Sequence, residues 1–218
     1  MTLIIASSNE GKIKEFEQIF AAKPWPFAHV QSYDELIDEV ELPEDGDSFL
    51  QNAAQKARSL QDILTSSFGE DFLRGKAILS DDSGLCVRAL NNAPGVFSAR
   101  YAGKDADMSA NRAKLKEELE KKGLKSSPAE FVCALHLILP RVVGELMEFD
   151  EVQISASFAG SISCEERGQK GFGYDCMFKP AGSQKTLGEM NEKEKNAISH
   201  RAKALELLFQ KLKERSCC

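Results

Sequence analysis

Two adjacent carboxylates, Asp81 and Asp82, are the residues of this chain best suited to chemistry. The apolar run Lys76–Leu79 predicts a short buried strand before them, and Ser83-Gly84 predicts a turn after them. Carboxylates at the end of a buried strand are costly to desolvate unless they bind a cation or share a proton. Neighbours on an extended chain point to opposite faces, so one could hold a metal while the other polarises water. Asp, Ser and Gly also form ordinary surface turns, and for this segment alone that alternative stays open.

A second candidate site is the polar turn Ser7–Lys12, between a predicted first strand and an amphipathic helix. The free N–H groups and the dipole at a helix N-terminus attract anions. Lys12 would add a positive charge there, and Ser7 and Asn9 would donate hydrogen bonds. Simple helix capping by Ser8 or Asn9, with a solvated Lys12, is the alternative. The spacing of a P-loop is absent.

A strongly acidic segment precedes a helix predicted over Ser48–Leu64. Most of its carboxylates should be solvated, but Glu44 stands between a proline and an Asp-Gly pair just before the helix. Asp47 is the expected helix cap. Asn52 and Lys56, four residues apart, should share a face of this helix.

The segment Gly171-Phe172-Gly173-Tyr174-Asp175 combines flexible glycines, two aromatic rings and a carboxylate. Glycines let the backbone approach a ligand closely, and an aromatic face can stack on a base. A glycine-rich turn whose aromatic rings fold into the core is the alternative.

The last helix is predicted to begin with a capping box of Asn191 and Glu194. It would carry Lys195 and, one turn later, a concentration of hydrogen-bond donors. These donors are Ser199, His200 and Arg201.

Composition limits the classes of protein that the chain can belong to. Its 218 residues suit one large domain or two lobes that share a sheet, and alternating strand and helix patterns predict an α/β fold. The net charge of −6 disfavours non-specific nucleic-acid binding. The cysteines lack metal-ligand spacing, and no run is long enough to span a membrane. We therefore expect a cytoplasmic protein with no membrane or nucleic-acid partner, whose residues 215–218 form a frayed tail.

The apolar run Phe131–Leu139 predicts a central strand, and residues 148–158 predict its hairpin partner. His136 lies within the first of these runs. We expect it to be a hydrogen-bonded structural residue rather than a ligand.

These motifs and their order along the chain resemble those of the inosine triphosphate pyrophosphatases, which hydrolyse non-standard purine nucleotides. The resemblance runs almost end to end. It rests on Ser7-Ser8-Asn9 with Lys12, Phe49 with Asn52-Ala53 and Lys56-Ala57, Ser80–Leu85, Ala93-Pro94-Gly95, Ser98–Tyr101, Gly171–Asp175 and Glu194–Arg201. One departure is Gln51, where the family usually carries a glutamate; that could weaken metal binding.

The resemblance implies a single domain over residues 1–218, with an elongated mixed sheet flanked by helices, two lobes and a nucleotide cleft between them. It also implies a homodimer and Mg²⁺-dependent hydrolysis of a nucleoside triphosphate to the monophosphate and pyrophosphate. Glu44 with Asp81 or Asp82 would hold Mg²⁺, and Asp82 would orient or deprotonate the attacking water.

The substrate contacts that the resemblance implies are divided between phosphates and base. The phosphates would contact Ser7, Asn9, Lys12, Lys56 and Lys195, and Ser8 and Ser83 would also bind the substrate. The base would contact Phe172, Gly173, Tyr174, Asp175, Ser199, His200 and Arg201. Donors from the last three would favour a 6-oxopurine such as hypoxanthine or xanthine over adenine, whose 6-amino group is itself a donor. A nucleotide sensor without hydrolysis, and a pyrophosphatase for modified pyrimidines, are the alternatives.

Overall fold

The computed structural model describes residues 1–216 as six strands and five α-helices, with short 3₁₀ turns between them. The strands are β1 (Thr2–Ile5), β2 (His29–Ser32), β3 (Lys76–Val87), β4 (Ser126–Val143), β5 (Leu146–Ser163) and β6 (Phe178–Pro180). The helices are α1 (Glu10–Ala21), α2 (Phe49–Phe68), α3 (Met108–Lys121), α4 (Glu192–Asn196) and α5 (His200–Ser216). Of the predicted tail, residues 215 and 216 belong to α5, and Cys217 and Cys218 lie outside the described residues.

The strands form one mixed sheet in the order β2-β1-β3-β4-β5-β6. β1 pairs in parallel with β2 and β3, whereas β6 is antiparallel to β5. This arrangement confirms the predicted α/β class with a mixed sheet.

Backbone contacts divide the chain into two compact units. The first unit contains Met1–Asp82, Ala134–Ser155 and the residues from Ala204 onward, and the second contains Ser83–Cys133 and Ala156–Lys203. Strands β3, β4 and β5 each contribute residues to both units. The candidate site residues fall in both units.

The core of the first unit forms along the apolar stripe of α2. Ala57, Leu60 and Leu64 are fully buried there with Ile4 and Ile78 of the neighbouring strands β1 and β3. Their spacing of three and four residues places them on one face of the helix, which is the pattern that a core-facing helix requires. This packing fixes α2 in place, and α2 carries Asn52 and Lys56 on its first two turns.

The core of the second unit is more aromatic. Phe131 of β4 lies 4.7 Å from Phe178 of β6 between ring centroids, and Phe158 of β5 lies 5.8 Å from Phe178. Leu115 and Leu119 of α3 are fully buried in the same cluster. Burial of these large side chains supplies most of the favourable free energy that holds this unit together.

The predicted turn at Ser83-Gly84 is wrong, because β3 continues without interruption to Val87. The polar residues interrupt the apolar pattern, which is why the sequence alone predicts a turn. Leu85 and Val87 resume it and are fully buried, so packing in the second unit keeps the chain extended. Asp81 and Asp82 therefore lie inside a strand rather than at its end.

The predicted capping box of Asn191 and Glu194 is confirmed, whereas the predicted cap of α2 and the continuity of the last helix are wrong. Ser48, not Asp47, caps α2, since its hydroxyl accepts a hydrogen bond from the Gln51 N–H. The last helix is in fact two helices, α4 and α5. A second cap causes the break: the Ser199 hydroxyl accepts from the Ala202 N–H at 3.2 Å and starts a new helix.

None of the helices in the described residues 1–216 is both long enough and apolar enough to cross a membrane. The cysteines that the structure describes as free thiols are Cys86, Cys133, Cys164 and Cys176.

His136 is fully buried in β4 and belongs to a polar cluster, as the sequence predicts. Its Nδ1 lies 3.1 Å from Gln153 Nε2, and its Nε2 lies 3.2 Å from Glu151 Oε2. Arg58 of α2 pairs with the same Glu151 carboxylate. Burial disfavours the imidazolium and lowers the pKa of His136, with the nearby Arg58 acting in the same direction and Glu151 opposing.

Stability should therefore depend on pH through His136. As the pH falls through about 6.5, the unfolded chain takes up this proton before the folded chain does, so the free energy of unfolding decreases. We expect His136→Gln to flatten the slope of unfolding free energy against pH between about 7 and 5. Urea unfolding at several pH values measures this slope. The exposed His29→Gln is the control, and parallel slopes for wild type and His136→Gln would contradict the prediction.

Candidate active site

The carboxylate pair Asp81 and Asp82 lies in the middle of β3, 1% and 5% exposed. Ionised carboxylates at such depth need partners, because desolvation otherwise neutralises them. Lys12 of α1 supplies one, with its Nζ 3.0 Å from Asp81 Oδ1. The reading of Lys12 as a solvated helix residue is therefore excluded.

Lys56 of α2 reaches the same place from another direction. Its Nζ donates to the Asp81 carbonyl oxygen at 2.6 Å and also pairs with the Glu44 carboxylate. This ammonium is buried, so it is held in position rather than solvated. The predicted metal ligands Glu44 and Asp81 thus share Lys56 as a neighbour.

Asp82 is held by an amide as well as by charges. Asn52 Nδ2 donates to Asp82 Oδ2 at 2.9 Å. Burial raises the pKa of Asp82, and the positive charges of Lys56 and Lys12 and the hydrogen bond from Asn52 oppose that rise. A carboxylate with a raised pKa beside cations is the environment expected of a group that accepts a proton.

The turn before α1 is organised by capping. Asn9 Oδ1 accepts from the Lys12 N–H at 3.0 Å, which confirms capping by Asn9. The Ser7 hydroxyl accepts from the Asn9 N–H at 3.2 Å, and Ser8 is exposed. The turn therefore places Lys12 in the first turn of a twelve-residue helix.

In the second unit, Asp175 is the centre of the glycine-rich segment. Its Oδ2 accepts from Lys195 Nζ at 2.7 Å and from the Phe172 N–H at 2.9 Å. The Lys195 ammonium also lies 4.5 Å from the centroid of the Phe172 ring. Lys195 and Asp175 are both buried, and Phe172 is partly exposed. The interpretation as a simple hairpin turn does not account for this buried ion pair.

Neighbouring residues fix the rest of this segment. Tyr174 is buried and donates from its hydroxyl to the Ser98 carbonyl at 2.9 Å. Arg112 of α3 donates to the Gly173 carbonyl at 3.1 Å. Ser83 lies partly buried in β3 of the same unit.

Ser199, His200 and Arg201 are all buried at the start of α5, with 0%, 5% and 1% exposure. The His200 ring stacks on Phe131, with centroids 4.9 Å apart and planes at 14°. The Ser199 oxygen accepts from the helix backbone, which leaves its O–H as a donor. Three buried polar side chains in succession are unusual in a helix that serves only packing.

Three residues that contact the candidate site residues, Asn52, Phe131 and Arg112, are not among those that the sequence predicts for the site. Asn52 could have been identified, since it shares a helix face with Lys56. Phe131 and Arg112 could not, because an aromatic residue in an apolar strand and an arginine in a charged helix carry no distinguishing signal.

The first unit offers oxygen donors that suit a hard divalent cation. Mg²⁺ keeps several waters and is usually held by one or two carboxylates together with substrate phosphates. Within residues 1–216, no three His, Cys, Asp or Glu side chains are grouped as a metal cage. Two adjacent carboxylates with Glu44 close by agree with an ion completed by water and phosphate oxygens.

Comparison with known proteins gives the family. The sequence profile of the Ham1 family matches residues 3–211. A dITP/XTP pyrophosphatase of Aliarcobacter butzleri is 39% identical over 213 residues, which cover 97% of this chain and 98% of that protein. The dITP/XTP pyrophosphatase of Sulfurimonas denitrificans is 41% identical over 207 residues, covering 95% and 96%.

Solved structures indicate the same family as the sequence comparison. A Ham1 protein from Coxiella burnetii has a TM-score of 0.76 and 34% identity, covering 98% of this chain and 99% of that one. The Staphylococcus aureus Ham1 protein has a TM-score of 0.75 and 31% identity, covering 99% and 100%. Both the motifs and the fold therefore lead to one assignment: the chain belongs to the Ham1 family.

Proposed function

We propose that this protein hydrolyses non-standard purine nucleoside triphosphates, namely ITP, dITP and XTP, to the monophosphate and pyrophosphate. The observation that carries the proposal is the buried pair of Asp81 and Asp82 with Lys12 and Lys56 against it. The names of the Aliarcobacter and Sulfurimonas relatives support the same substrate class.

The first-unit residues would bind the phosphates and activate water. Lys12 and Lys56, with Ser7 and Asn9, neutralise and orient the triphosphate, and Lys195 assists. Ser8 and Ser83 also bind the substrate. Asp82 accepts the proton of the attacking water, since its pKa is raised and Asn52 fixes its carboxylate. Catalysis then depends on position and charge rather than on a covalent intermediate.

Glu44 with Asp81 or Asp82 would hold Mg²⁺, because they supply the carboxylate oxygens that this ion prefers. When bound, the ion would neutralise phosphate charge and make water more acidic. Lys12 already contacts the Asp81 carboxylate and Lys56 the Glu44 carboxylate, so these ammonium groups lie where phosphate charge would arrive.

The second-unit residues would bind the base. Phe172 offers an aromatic face, while Gly173 and Tyr174 shape the pocket and Asp175 orients the segment and the base. Ser199, His200 and Arg201 donate to the 6-oxygen of the purine. Adenine would place its 6-amino donor against these donors, and an unpaired buried donor costs about 1–3 kcal/mol.

The assembly and cellular location are part of the same proposal. We infer a homodimer in the cytoplasm without nucleic-acid or membrane partners. The free thiols Cys86, Cys133, Cys164 and Cys176 support a reducing compartment. The acidic net charge supports the absence of a nucleic-acid partner. Light scattering on purified protein tests the dimer.

Pyrophosphate release from a substrate panel tests the activity. With Mg²⁺, we expect strong release from ITP, dITP and XTP and little from ATP and modified pyrimidine nucleotides. Asp82→Asn should lower kcat by about a hundredfold or more, because it removes the proton acceptor while preserving shape. Steady-state kinetics with a pyrophosphate-coupled assay measures both.

Two results would contradict this prediction. Equal rates for all purine nucleotides would remove the role of the 6-oxygen. Binding of ITP without any hydrolysis by wild type would favour a nucleotide sensor.

Base selection by His200 can be tested separately. We expect His200→Ala to lower the ratio of kcat/KM for ITP to that for ATP by about tenfold, the value of one buried hydrogen bond. Lys203→Ala, on the same turn of α5 and exposed, should leave the ratio unchanged. An equal loss of activity toward both nucleotides in His200→Ala would mean that the residue does not select the base.

A further inference from the structure

Asn52, on the first turn of α2, is a fully buried polar residue, and both the nitrogen and the oxygen of its side-chain amide are hydrogen-bonded. Its Nδ2 donates to Asp82 Oδ2 at 2.9 Å, and its Oδ1 accepts from the Gly46 N–H at 2.8 Å. One side chain thus joins the carboxylate that is proposed to accept a proton to the loop that carries Glu44.

The loop lies unusually close to the helix at this point. A Cβ added to Gly46 would lie 2.7 Å from Gln51 Cβ and 3.0 Å from Asn52 Oδ1, so only glycine fits without displacement. The next backbone N–H, of Asp47, donates to Gln51 Oε1 at 2.8 Å. Two successive loop N–H groups are therefore held by two successive amides of α2.

The orientation of the Asn52 amide is dictated by its partners. An ionised carboxylate can only accept, and a backbone N–H can only donate. A flipped amide would place its oxygen against the Asp82 oxygen and its NH₂ against the Gly46 N–H, leaving all of these groups without partners. Asn52 therefore has a single satisfied orientation, and the core packing of α2 keeps the residue within reach of both partners.

We propose that Asn52 is a positioning residue for hydrolysis, which holds the Asp82 carboxylate and the Glu44 loop at a fixed distance from one another. This inference rests on the proposed function. Asn52 touches no reacting atom; its effect passes through Asp82 at one end and through Gly46 at the other.

The experiment compares Asn52→Ala and Asn52→Asp with wild type, using ITP and saturating Mg²⁺. We expect kcat to fall about 100-fold in both variants, with KM for ITP changed less than threefold, because a misplaced group costs rate rather than binding. The two variants differ at the loop end, since an aspartate can still accept from the Gly46 N–H.

Hydrogen exchange of the Gly46 amide, followed by NMR, reports the loop end without any reaction. Exchange should be at least tenfold faster in Asn52→Ala than in wild type and close to wild type in Asn52→Asp. Gly46→Ala keeps the Asn52 side chain but displaces the loop, because the added Cβ would lie 2.7 Å from Gln51 Cβ and 3.0 Å from Asn52 Oδ1. It should raise the Mg²⁺ concentration needed for half-maximal rate several-fold, since Glu44 would be displaced.

Asn111 provides the matched control. It is also fully buried and also uses both ends of its amide, donating to the Ala99 carbonyl at 2.9 Å and accepting from the Ala102 N–H at 2.7 Å. Asn111→Ala should lose similar stability, measured by urea unfolding, yet keep kcat within about threefold of wild type.

A kcat for Asn52→Ala within threefold of wild type, or a loss no greater than that of Asn111→Ala, would overturn the inference. An unchanged exchange rate of the Gly46 amide in Asn52→Ala would overturn the inference that Asn52 holds the Glu44 loop. Failure of the proposed function is distinguishable, because in that case wild type itself would release no pyrophosphate.

Discussion

The structure depends on the burial of negative charge in the middle of a strand. Asp81 and Asp82 continue β3 instead of ending it, and the desolvation of two buried carboxylates is unfavourable unless neighbouring groups offset it. Lys12 of α1 and Lys56 of α2 supply that compensation from different elements. The apolar stripe of α2 has therefore a second consequence besides stability: by fixing the helix against β1 and β3, it fixes a buried ammonium at the carboxylates.

The second unit repeats the principle with another geometry. Asp175 is buried, and it is compensated by Lys195 and by the Phe172 N–H, so the ion pair also sets the conformation of the glycine-rich segment. Removing either partner of a buried pair leaves the other uncompensated, which costs more than the pair itself contributes. In both units a lysine from a helix and a carboxylate from another element hold the predicted site residues in place.

Much of this arrangement could be predicted from the sequence, because periodic apolar residues and short polar motifs carry local information. The helix of Asn52 and Lys56, the cap at Asn9 and the structural role of His136 follow from such patterns. The continuity of β3 through Ser83-Gly84 does not, since only packing of Leu85 in the second unit reveals it. The stacking of His200 on Phe131 joins residues about seventy positions apart, and no local pattern encodes such a contact.

Gln51 shows how a departure from a family pattern can be neutral in structure and still change the electrostatics. Its Oε1 accepts from the Asp47 N–H, a bond that a glutamate could make equally well. The amide therefore preserves the docking of the loop on α2 while removing one negative charge from a segment already rich in carboxylates. Less repulsion around Glu44 favours the folded loop, whereas a smaller negative potential attracts a divalent cation less strongly. Gln51 lies on the exposed first turn of the helix, where solvent and salt screen charges, so both electrostatic effects are small.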